Sequence, residues 1–465
     1  MAKSCSRLWP LWVTHLKDVS PKPAAATKAK PVLTHRRRGT LRFAESSFAL
    51  RFSAFLCVSA LNGLFPVAQA AQAPPRYLFL NIAPASAWNQ NQPETFSRAM
   101  FDEVTNTLRA PENPRLRIGV SFVFNTLETP TNVLAQSLRR LLAASEEAGM
   151  PVLVTLDGQN WWQHRPDLWN WWDPKLPGYN PSNSFNVEWT GWSPTQAVKV
   201  GWRNWGSQRR VAPAPNIASP AVVAAHLEGL RALVPIIVEW QRRLPLSRKW
   251  LFGGVKLGWE AGIGYNAYYY PDGNHYYEQW PNDPSHDPTT SLVPGKGLSG
   301  GVCQLGYAAV KSAGIGDHGH ITRDDIAKVT RQYLEKLCQV AHELGLPRDS
   351  VFTHQGGNYA PWEKHLSFWP AFNRWSSPGW IFYNGGPREA GPLQTEMKAA
   401  GQQRWAAAEW WWGGANAAEW EDHFRRTLSF RDCRFICVYN WNLGMFENAI
   451  PGQEAVRKLV AEWRE

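Results

Sequence analysis

Beyond its first 70 residues, the sequence has almost no excess of positive charge. The 465-residue chain has a formal net charge of +11, but eleven basic and two acidic residues lie within positions 1–70. That segment carries +9, so the remaining 395 residues carry only +2. Proteins that bind nucleic acid or other polyanions concentrate basic residues on their folded part. The near-neutral remainder excludes that class, and we predict no nucleic-acid partner.

Cysteine is also scarce, with two of the six residues in the first 70 positions. Cys433 and Cys437 are four positions apart on a predicted strand, which separates them by about 13 Å and is too far for a disulfide. The spacing of these two cysteines fits no common zinc pattern, and Asp317, His318 and His320 favour a polar loop over the alternative of a metal site. We predict buried thiols, with a disulfide between Cys303 and Cys338 as the open alternative.

Nucleotide-binding and metalloprotease motifs are missing. No glycine fingerprint follows the first predicted strand, and neither a P-loop nor an H-E-x-x-H motif occurs. Gly297–Gly301 match G-x-S-x-G in letters, but they follow Pro294 and Gly295 rather than a strand. We therefore predict no nucleophilic serine here, no cofactor and no metal.

One apolar run, Phe52–Val67, follows Arg51 and precedes an A-x-A pattern at 68–70. This combination is typical of a secretory signal peptide. We predict that residues 1–73 are a basic extension plus a signal peptide, and that the mature chain, 74–465, is secreted or periplasmic. A retained membrane anchor is the alternative. No later stretch is predicted to span a membrane.

Tryptophan is the residue that the sequence has in unusual number. Only Trp9 and Trp12 of the 27 tryptophans lie in the leader. A core does not need so many, because aliphatic side chains fill it as well. Flat indole faces suit the apolar faces of sugar rings, as they suit other ring ligands. The composition favours a carbohydrate ligand, although we expect about half of the five tryptophans at 161–172 only to pack.

Strand-like and helix-like segments alternate along the mature chain. Strands are predicted at Tyr77–Pro84, Arg115–Asn125, Pro151–Asp157, Leu251–Glu260, Ser350–Gly356, Trp380–Asn384, Arg404–Trp411 and Arg434–Trp441. Helices are predicted at Pro93–Leu108, Thr131–Ala148, Pro220–Arg243, Thr322–Leu344, Trp362–Trp375, Gln394–Gln403, Ala417–Ser429 and Gln453–Trp463. This alternation is typical of a (β/α)8 TIM barrel. We predict one α/β barrel over 74–465, with a doubly wound open sheet as the alternative fold.

Two long segments interrupt the alternation. Gly158–Ser219 follows the third predicted strand, and Ala261–Gly319 follows the fourth. Active-site loops of such barrels follow the carboxyl ends of the strands. We predict that both insertions lie at that end of the barrel and wall a cleft.

Polar and aromatic side chains collect where the predicted strands end. In a regular strand seven, Trp405, Ala407 and Glu409 would share one face, and Glu260 ends strand four. Buried carboxylates are costly unless used, although Asp157 has an alternative role as a hydrogen-bond acceptor for its loop. The predicted catalytic residues are Glu260 and Glu409, and the predicted substrate-binding residues are Asp157, Asn160, Trp161, Trp162, His354, Asn358, Tyr383, Asn384, Trp411 and Trp441.

Glycoside cleavage requires two carboxyls, one to protonate the leaving group and one to attack or to activate water. By strand count, the arrangement resembles the glycoside hydrolases of clan A, which are (β/α)8 barrels. In that clan the acid/base ends strand four, the nucleophile ends strand seven, and a strand-six tyrosine touches the nucleophile. The resemblance implies these roles for Glu260, Glu409 and Tyr383, and a platform role for Trp441. The clan's usual asparagine before the acid/base is replaced by Trp259.

The resemblance implies an exported hydrolase that cleaves an oligo- or polysaccharide with retention of anomeric configuration. Glutamates after strands four and seven are also similar to those of the inverting β-amylases. A non-catalytic glycan-binding barrel is an alternative, as is a polysaccharide lyase with Tyr383 or His354 as its base.

Each glutamate also has a purely structural explanation. Glu409 could pair with Arg404 or Arg434, and Glu260 could pair with a buried Lys256.

Overall fold

The computed structural model describes residues 74–83, 87–204, 208–264, 266–288, 301–356, 367–441 and 446–464. The predicted leader and the predicted binding residue Asn358 lie outside these described residues.

Ten strands are described, and eight of them close into a parallel barrel. The strands are β1 (Arg76–Ile82), β2 (Leu116–Asn125), β3 (Val152–Asp157), β4 (Gly201–Asn204), β5 (Gln208–Val211), β6 (Phe252–Ala261), β7 (Val351–Gln355), β8 (Gly379–Tyr383), β9 (Arg404–Trp411) and β10 (Asp432–Val438). The barrel order is β1-β2-β3-β6-β7-β8-β9-β10, with β10 pairing back to β1. The antiparallel hairpin β4–β5 lies in the first insertion. The predicted TIM barrel is therefore confirmed.

The described helices are α1 (Ala99–Leu108), α2 (Thr131–Ala148), α3 (Pro166–Trp169), α4 (Pro220–Arg243), α5 (Gly273–Gln279), α6 (Tyr307–Ser312), α7 (Arg323–Glu343), α8 (Gly391–Ala399), α9 (Ala417–Leu428) and α10 (Ile450–Glu462). Thr322 and Asp325 form a capping box at the start of α7. Among the described helices, α4 is long and apolar enough to cross a membrane by length and composition, and it packs against α2 and α7.

Two predicted helices differ from the structure. The predicted helix Pro93–Leu108 is a 3-10 turn, Pro93–Thr95, followed by α1, because the buried Phe96 leaves the helical conformation and stacks on Trp88. The described part of Trp362–Trp375 contains only a 3-10 turn, Trp369–Ala371. Pro370 disfavours a longer helix there, since proline restricts the preceding residue and lacks a backbone donor.

The barrel interior is apolar where the strands begin and polar where they end. Seven buried residues fill the first part: Tyr77, Phe79, Leu153, Phe352, Ala406, Phe435 and Cys437. Glycine makes room for one of these rings, because a Cβ on Gly253 would lie 2.1 Å from the Phe79 ring and one on Gly119 would lie 2.6 Å from it. A second, larger apolar layer lies between the strands and the outer helices.

The cysteines behave largely as the sequence predicts. Cys338, Cys433 and Cys437 are fully buried, and Cys303 is partly exposed. All four described cysteines are free thiols, so the alternative of a disulfide between Cys303 and Cys338 is not realised.

Candidate active site

The end of β9 is irregular at the point where it presents Glu409. Trp380 of β8 pairs with Ala407, and the next residue, Ile381, pairs with Glu409, so Ala408 is an extra residue in β9. Such a bulge re-aims the side chain that follows it. The prediction that Trp405, Ala407 and Glu409 share a face is therefore wrong. Trp405 and Ala407 pack in the layer under the helices, and the bulge turns Glu409 inward.

The end of β6 has a larger irregularity around Glu260. Leu257 pairs with Thr353, but the next paired residue is Ala261, opposite Gln355. Within this stretch Gly258 has a φ of 75° and Glu260 has a φ of 49°. A non-glycine residue in the left-handed region costs on the order of 1–3 kcal/mol and is concentrated at functional sites. The distortion places the Glu260 side chain close to that of Glu409, at the same end of the barrel.

One tyrosine hydroxyl connects the two carboxylates. The Tyr383 hydroxyl at the end of β8 donates a short hydrogen bond to Glu409 Oε1. The same hydroxyl lies 3.5 Å from Glu260 Oε1. Glu260 is 6% exposed and Glu409 is 5% exposed. The two carboxylates thus lie on either side of the Tyr383 hydroxyl, and a small part of each residue is exposed to solvent.

Glu409 is surrounded by groups from the barrel strands. The Trp259 indole Nε1 donates to Glu409 Oε2 at 2.7 Å, and His354 Nε2 lies 3.5 Å from the same oxygen. Burial raises the pKa of Glu409, against the opposing effects of the Tyr383 hydrogen bond, the Lys256 charge and the Trp259 hydrogen bond. Burial holds the pKa of His354 well below its usual value, and the Lys256 charge adds to this.

The structural alternatives for the two glutamates are not found. Arg404 pairs with Asp349 at 2.7 Å and with Asp432 at 2.9 Å rather than with Glu409. The Lys256 ammonium donates to the Ala408 carbonyl at 2.8 Å rather than to Glu260.

Arg434 is likewise engaged elsewhere. Its guanidinium donates to the backbone carbonyls of Pro74 and Pro75 and lies 3.9 Å from Asp432.

Glu260 is held by residues of the two insertions. Asn266, six residues further along the chain, donates its side-chain amide to Glu260 Oε2 at 2.7 Å. Arg203 on β4 donates to the Asn266 carbonyl at 3.1 Å and to the Asn160 carbonyl at 2.8 Å. Burial lowers the pKa of Arg203 to about 10, against the charges of Glu260 and Asp157. Both insertions therefore reach the glutamates, as the sequence predicts.

Asp157 and Asn160 hydrogen-bond to backbone where β3 and β6 end, and Asn160 also lines a small cavity with Arg203 and Asn266. Asp157 is 1% exposed, and its carboxylate accepts the backbone N–H groups of Gln159, Asn160 and Trp259. Burial raises the pKa of Asp157 to about 6, against these hydrogen bonds. The Asn160 side chain donates to the Trp259 carbonyl. The alternative of a loop acceptor is the one that the geometry supports for Asp157, and its predicted role in binding substrate is corrected accordingly.

Three other predicted binding residues are too buried to meet a ligand as they stand. Trp162 is 2% exposed, and its indole donates to the Pro213 carbonyl within the first insertion. Trp441 is fully buried, and its indole donates to Glu103 of α1 at 3.1 Å. His354 is also fully buried, beneath Glu409. The described contacts of these three side chains are packing or supporting ones, and their role in binding substrate stays a prediction.

The remaining predicted residues are partly exposed and surround the glutamates. Trp161 stacks on Trp259 with ring centroids 4.4 Å apart. Tyr383 lies beside Glu409. The Asn384 side-chain oxygen accepts the Gly413 backbone N–H, and the Asn384 backbone N–H donates to the Trp411 carbonyl. These four, Trp161, Tyr383, Asn384 and Trp411, are the predicted binding residues that the structure leaves accessible.

Tyr439 is a residue at the site that the sequence analysis passed over. Its ring centroid lies 4.7 Å from that of Tyr383 and 5.5 Å from that of Trp411. Burial raises the pKa of Tyr439, and the charges of Glu409 and Glu260 raise it further. Alternation from the inward-facing Cys437 could have identified it. Asn266 and Arg203 lie in insertions and had no such signal.

Among the described residues, no group of three or more His, Cys, Asp or Glu side chains is arranged to hold a metal ion. The Asp317 and His318 side chains, 2.6 Å apart, lie on an exposed loop.

Comparisons with known proteins give a fold-level likeness. No protein-family model matches the sequence, and no curated protein matches it. Among solved structures, the chain is similar to an apo beta-glucosidase over 79% of this chain and 88% of that one, with 12% identity and a TM-score of 0.36. It is also similar to TcOYE with pHBA over 83% and 89% of the two chains, with 10% identity and a TM-score of 0.32. At these identities, the likeness concerns the barrel fold alone.

Proposed function

We propose that this chain is an exported glycoside hydrolase that acts on an oligo- or polysaccharide. The observation that carries the proposal is that the Tyr383 hydroxyl lies within hydrogen-bond distance of both the Glu260 and the Glu409 carboxylates. Two carboxyls that meet at the mouth of a barrel are the groups that glycoside cleavage needs.

In the proposed mechanism Glu409 is the nucleophile and Glu260 is the acid/base. Glu260 protonates the leaving oxygen while Glu409 attacks the anomeric carbon, and a water activated by Glu260 then releases the sugar. Because both contacts share the Tyr383 hydroxyl oxygen, Glu260 Oε1 and Glu409 Oε1 are at most about 6 Å apart. That limit supports a retaining pair, whose carboxyls lie about 5–5.5 Å apart, over an inverting pair, whose carboxyls lie about 6.5–9.5 Å apart.

The opposite assignment, with Glu409 as the acid, has one point in its favour. Burial raises the pKa of Glu409, and general acids in hydrolases are often buried carboxyls. The hydrogen bonds favour Glu409 as the nucleophile instead. Tyr383 and Trp259 both donate to Glu409, and donors stabilise the ionised form of a carboxyl. A group that must attack as a carboxylate needs that arrangement, and a proton donor does not.

The substrate would contact the exposed aromatic and amide groups around the glutamates. Trp161, Trp411, Asn384 and Tyr439 are each partly exposed, and Trp411 packs against Tyr439. Such a mixture of aromatic surface and a few polar groups suits a sugar. Export is proposed from the sequence of the leader, and mature protein would begin near Ala71 or Pro74.

The test is a screen of the mature protein against aryl glycosides and plant, algal and bacterial polysaccharides, followed by NMR of the first product. We expect hydrolysis with the anomeric configuration retained. A product of inverted configuration would favour the β-amylase-like inverting hydrolase, and an unsaturated product would favour a polysaccharide lyase. Binding without any turnover would leave a glycan-binding barrel.

A further inference from the structure

A lysine crosses the interior of the barrel beneath the glutamates. Lys256 on β6 is 1% exposed, and its Nζ donates to the Ala408 carbonyl on β9 at 2.8 Å. The same Nζ lies 3.5 Å from Cys437 Sγ on β10. Barrel interiors of this type are dominated by branched apolar side chains. An ammonium group placed there is costly unless a negative charge compensates it.

Both hydrogen-bond partners of Lys256 are formally neutral, so the compensation must come from elsewhere. Ala408 is the extra residue of the β9 bulge and directly precedes Glu409. Lys256 therefore holds the backbone that presents Glu409. Burial raises the pKa of Glu409, and the Lys256 charge is one of the influences that oppose this rise.

Several titratable and hydrogen-bonding groups face Glu409 from the surrounding strands. They are Lys256, Trp259 and Glu260 on β6, His354 on β7, Tyr383 on β8, and Cys437 and Tyr439 on and after β10. His354 adds no positive charge, because burial and Lys256 keep its pKa well below the usual value. Burial also raises the pKa of the Cys437 thiol and of the Tyr439 hydroxyl, which keeps both neutral. Lys256 is the cation of this set.

We propose that Lys256 is a positioning residue for Glu409. The buried ammonium group of Lys256 keeps the Glu409 carboxylate ionised and fixes the β9 bulge that orients it. The importance of this role rests on the proposed function, in which Glu409 must be ionised in order to attack. The electrostatic link between the two groups does not depend on any activity and can be measured without one.

The first test is the pH dependence of kcat/KM for Lys256→Met. The acidic limb reports the ionisation of the attacking carboxylate in the free enzyme. We expect this limb to move to higher pH by about one unit or more, because a nearby positive charge has been removed. The melting temperature should fall at pH values where Glu409 is ionised, since the variant leaves that buried carboxylate without a compensating charge.

Two further variants separate charge from packing. Cys437→Ala removes the other hydrogen-bond partner of Lys256 without changing its charge, and we expect the acidic limb to stay in place. Lys256→Gln removes the charge and retains a donor for the Ala408 carbonyl, so it should shift the limb as Lys256→Met does. Lys256→Gln also serves if the methionine variant does not fold. An unmoved limb in both Lys256 variants would overturn the inference.

The second test needs no substrate. Infrared difference titration of the wild type against Glu409→Gln isolates the carboxylate signal of Glu409. The midpoint of that signal should rise when the same difference is taken in the Lys256→Met background. A raised midpoint in a chain that hydrolyses no glycoside would support this inference while the proposed function fails. An unchanged midpoint would overturn the inference whatever the activity.

Discussion

The two glutamates meet in one place but are held by different parts of the chain. Glu409 is supported from the barrel, with Tyr383 of β8 and Trp259 of β6 donating to its carboxylate. Glu260 is supported from the second insertion, through the side-chain amide of Asn266. Both stand on β-bulges, so the strands alone would have aimed neither of them correctly. One half of the site is built from the core and the other half from loops.

This difference separates what each half can control. Packed strands hold side chains in fixed geometry, whereas loops open more easily and vary more between related proteins. Glu409, embedded among strands, should have surroundings that do not depend on which sugar is bound. Changes around Glu409 should therefore affect every substrate alike. Changes around Glu260 should depend on how much help the leaving group needs.

The largest expected effect is that of Glu409→Ala. Removing an attacking carboxylate should lower kcat by at least about 10⁴-fold for all substrates. Azide should restore turnover in the space left by the side chain and yield a glycosyl azide of inverted configuration. Product analysis by NMR checks this outcome. A retained glycosyl azide from Glu409→Ala together with an inverted one from Glu260→Ala would exchange the two roles. Full activity of Glu409→Ala would remove Glu409 from the mechanism.

Glu260→Ala should have a smaller effect that depends on the leaving group. Proton transfer by a positioned acid contributes about 10²- to 10⁴-fold, so substrates with poor leaving groups should lose that much in kcat/KM. Activated aryl glycosides need little protonation and should retain most of the rate of their first step. A series of aryl glycosides of increasing leaving-group pKa measures the difference. A loss of equal size across the series would contradict the assignment of Glu260.

The alternation of strands and helices was sufficient to predict the barrel and to place both glutamates at strand ends. Local hydrophobic periodicity identifies each strand and helix and the order in which they follow along the chain. The same periodicity failed within the site. A period-two strand places Trp405 with Glu409, but the extra residue Ala408 breaks the alternation. A bulge of this kind depends on the register between two paired strands, and the sequence of one strand alone does not predict that register.

The contacts that hold the site were less predictable still. Asn266 lies in the second insertion before its first helix, and its hydrogen bond to Glu260 follows from the fold of that insertion. Trp441, which strand counting placed at the opening, is fully buried. Strand count gives the end of the barrel at which a residue lies. It does not give the direction in which the side chain points.

Trp259→Phe probes the half of the site that the barrel supports. Phenylalanine keeps much of the stacking surface for Trp161 but loses the indole N–H that donates to Glu409 at 2.7 Å. We expect a loss of about ten- to a hundredfold that is the same for good and poor leaving groups. That hydrogen bond lowers the pKa of Glu409, so its removal should move the acidic limb of kcat/KM to higher pH. A loss confined to poor leaving groups would break the comparison.

Asn266→Ala probes the half that the insertion supports, and we expect the smallest effect. The change removes one hydrogen bond to Glu260 and should cost about tenfold or less in kcat/KM. The loss should appear with poor leaving groups and nearly vanish with activated ones. Asn274→Ala is the matched control, because Asn274 lies in the same insertion but donates to the Ala197 carbonyl. If Asn274→Ala produced the same dependence on leaving group, Asn266 would act only through the fold of the insertion. If Asn266→Ala instead slowed all substrates equally, both glutamates would depend on the insertion, and the division between core and loop would not hold.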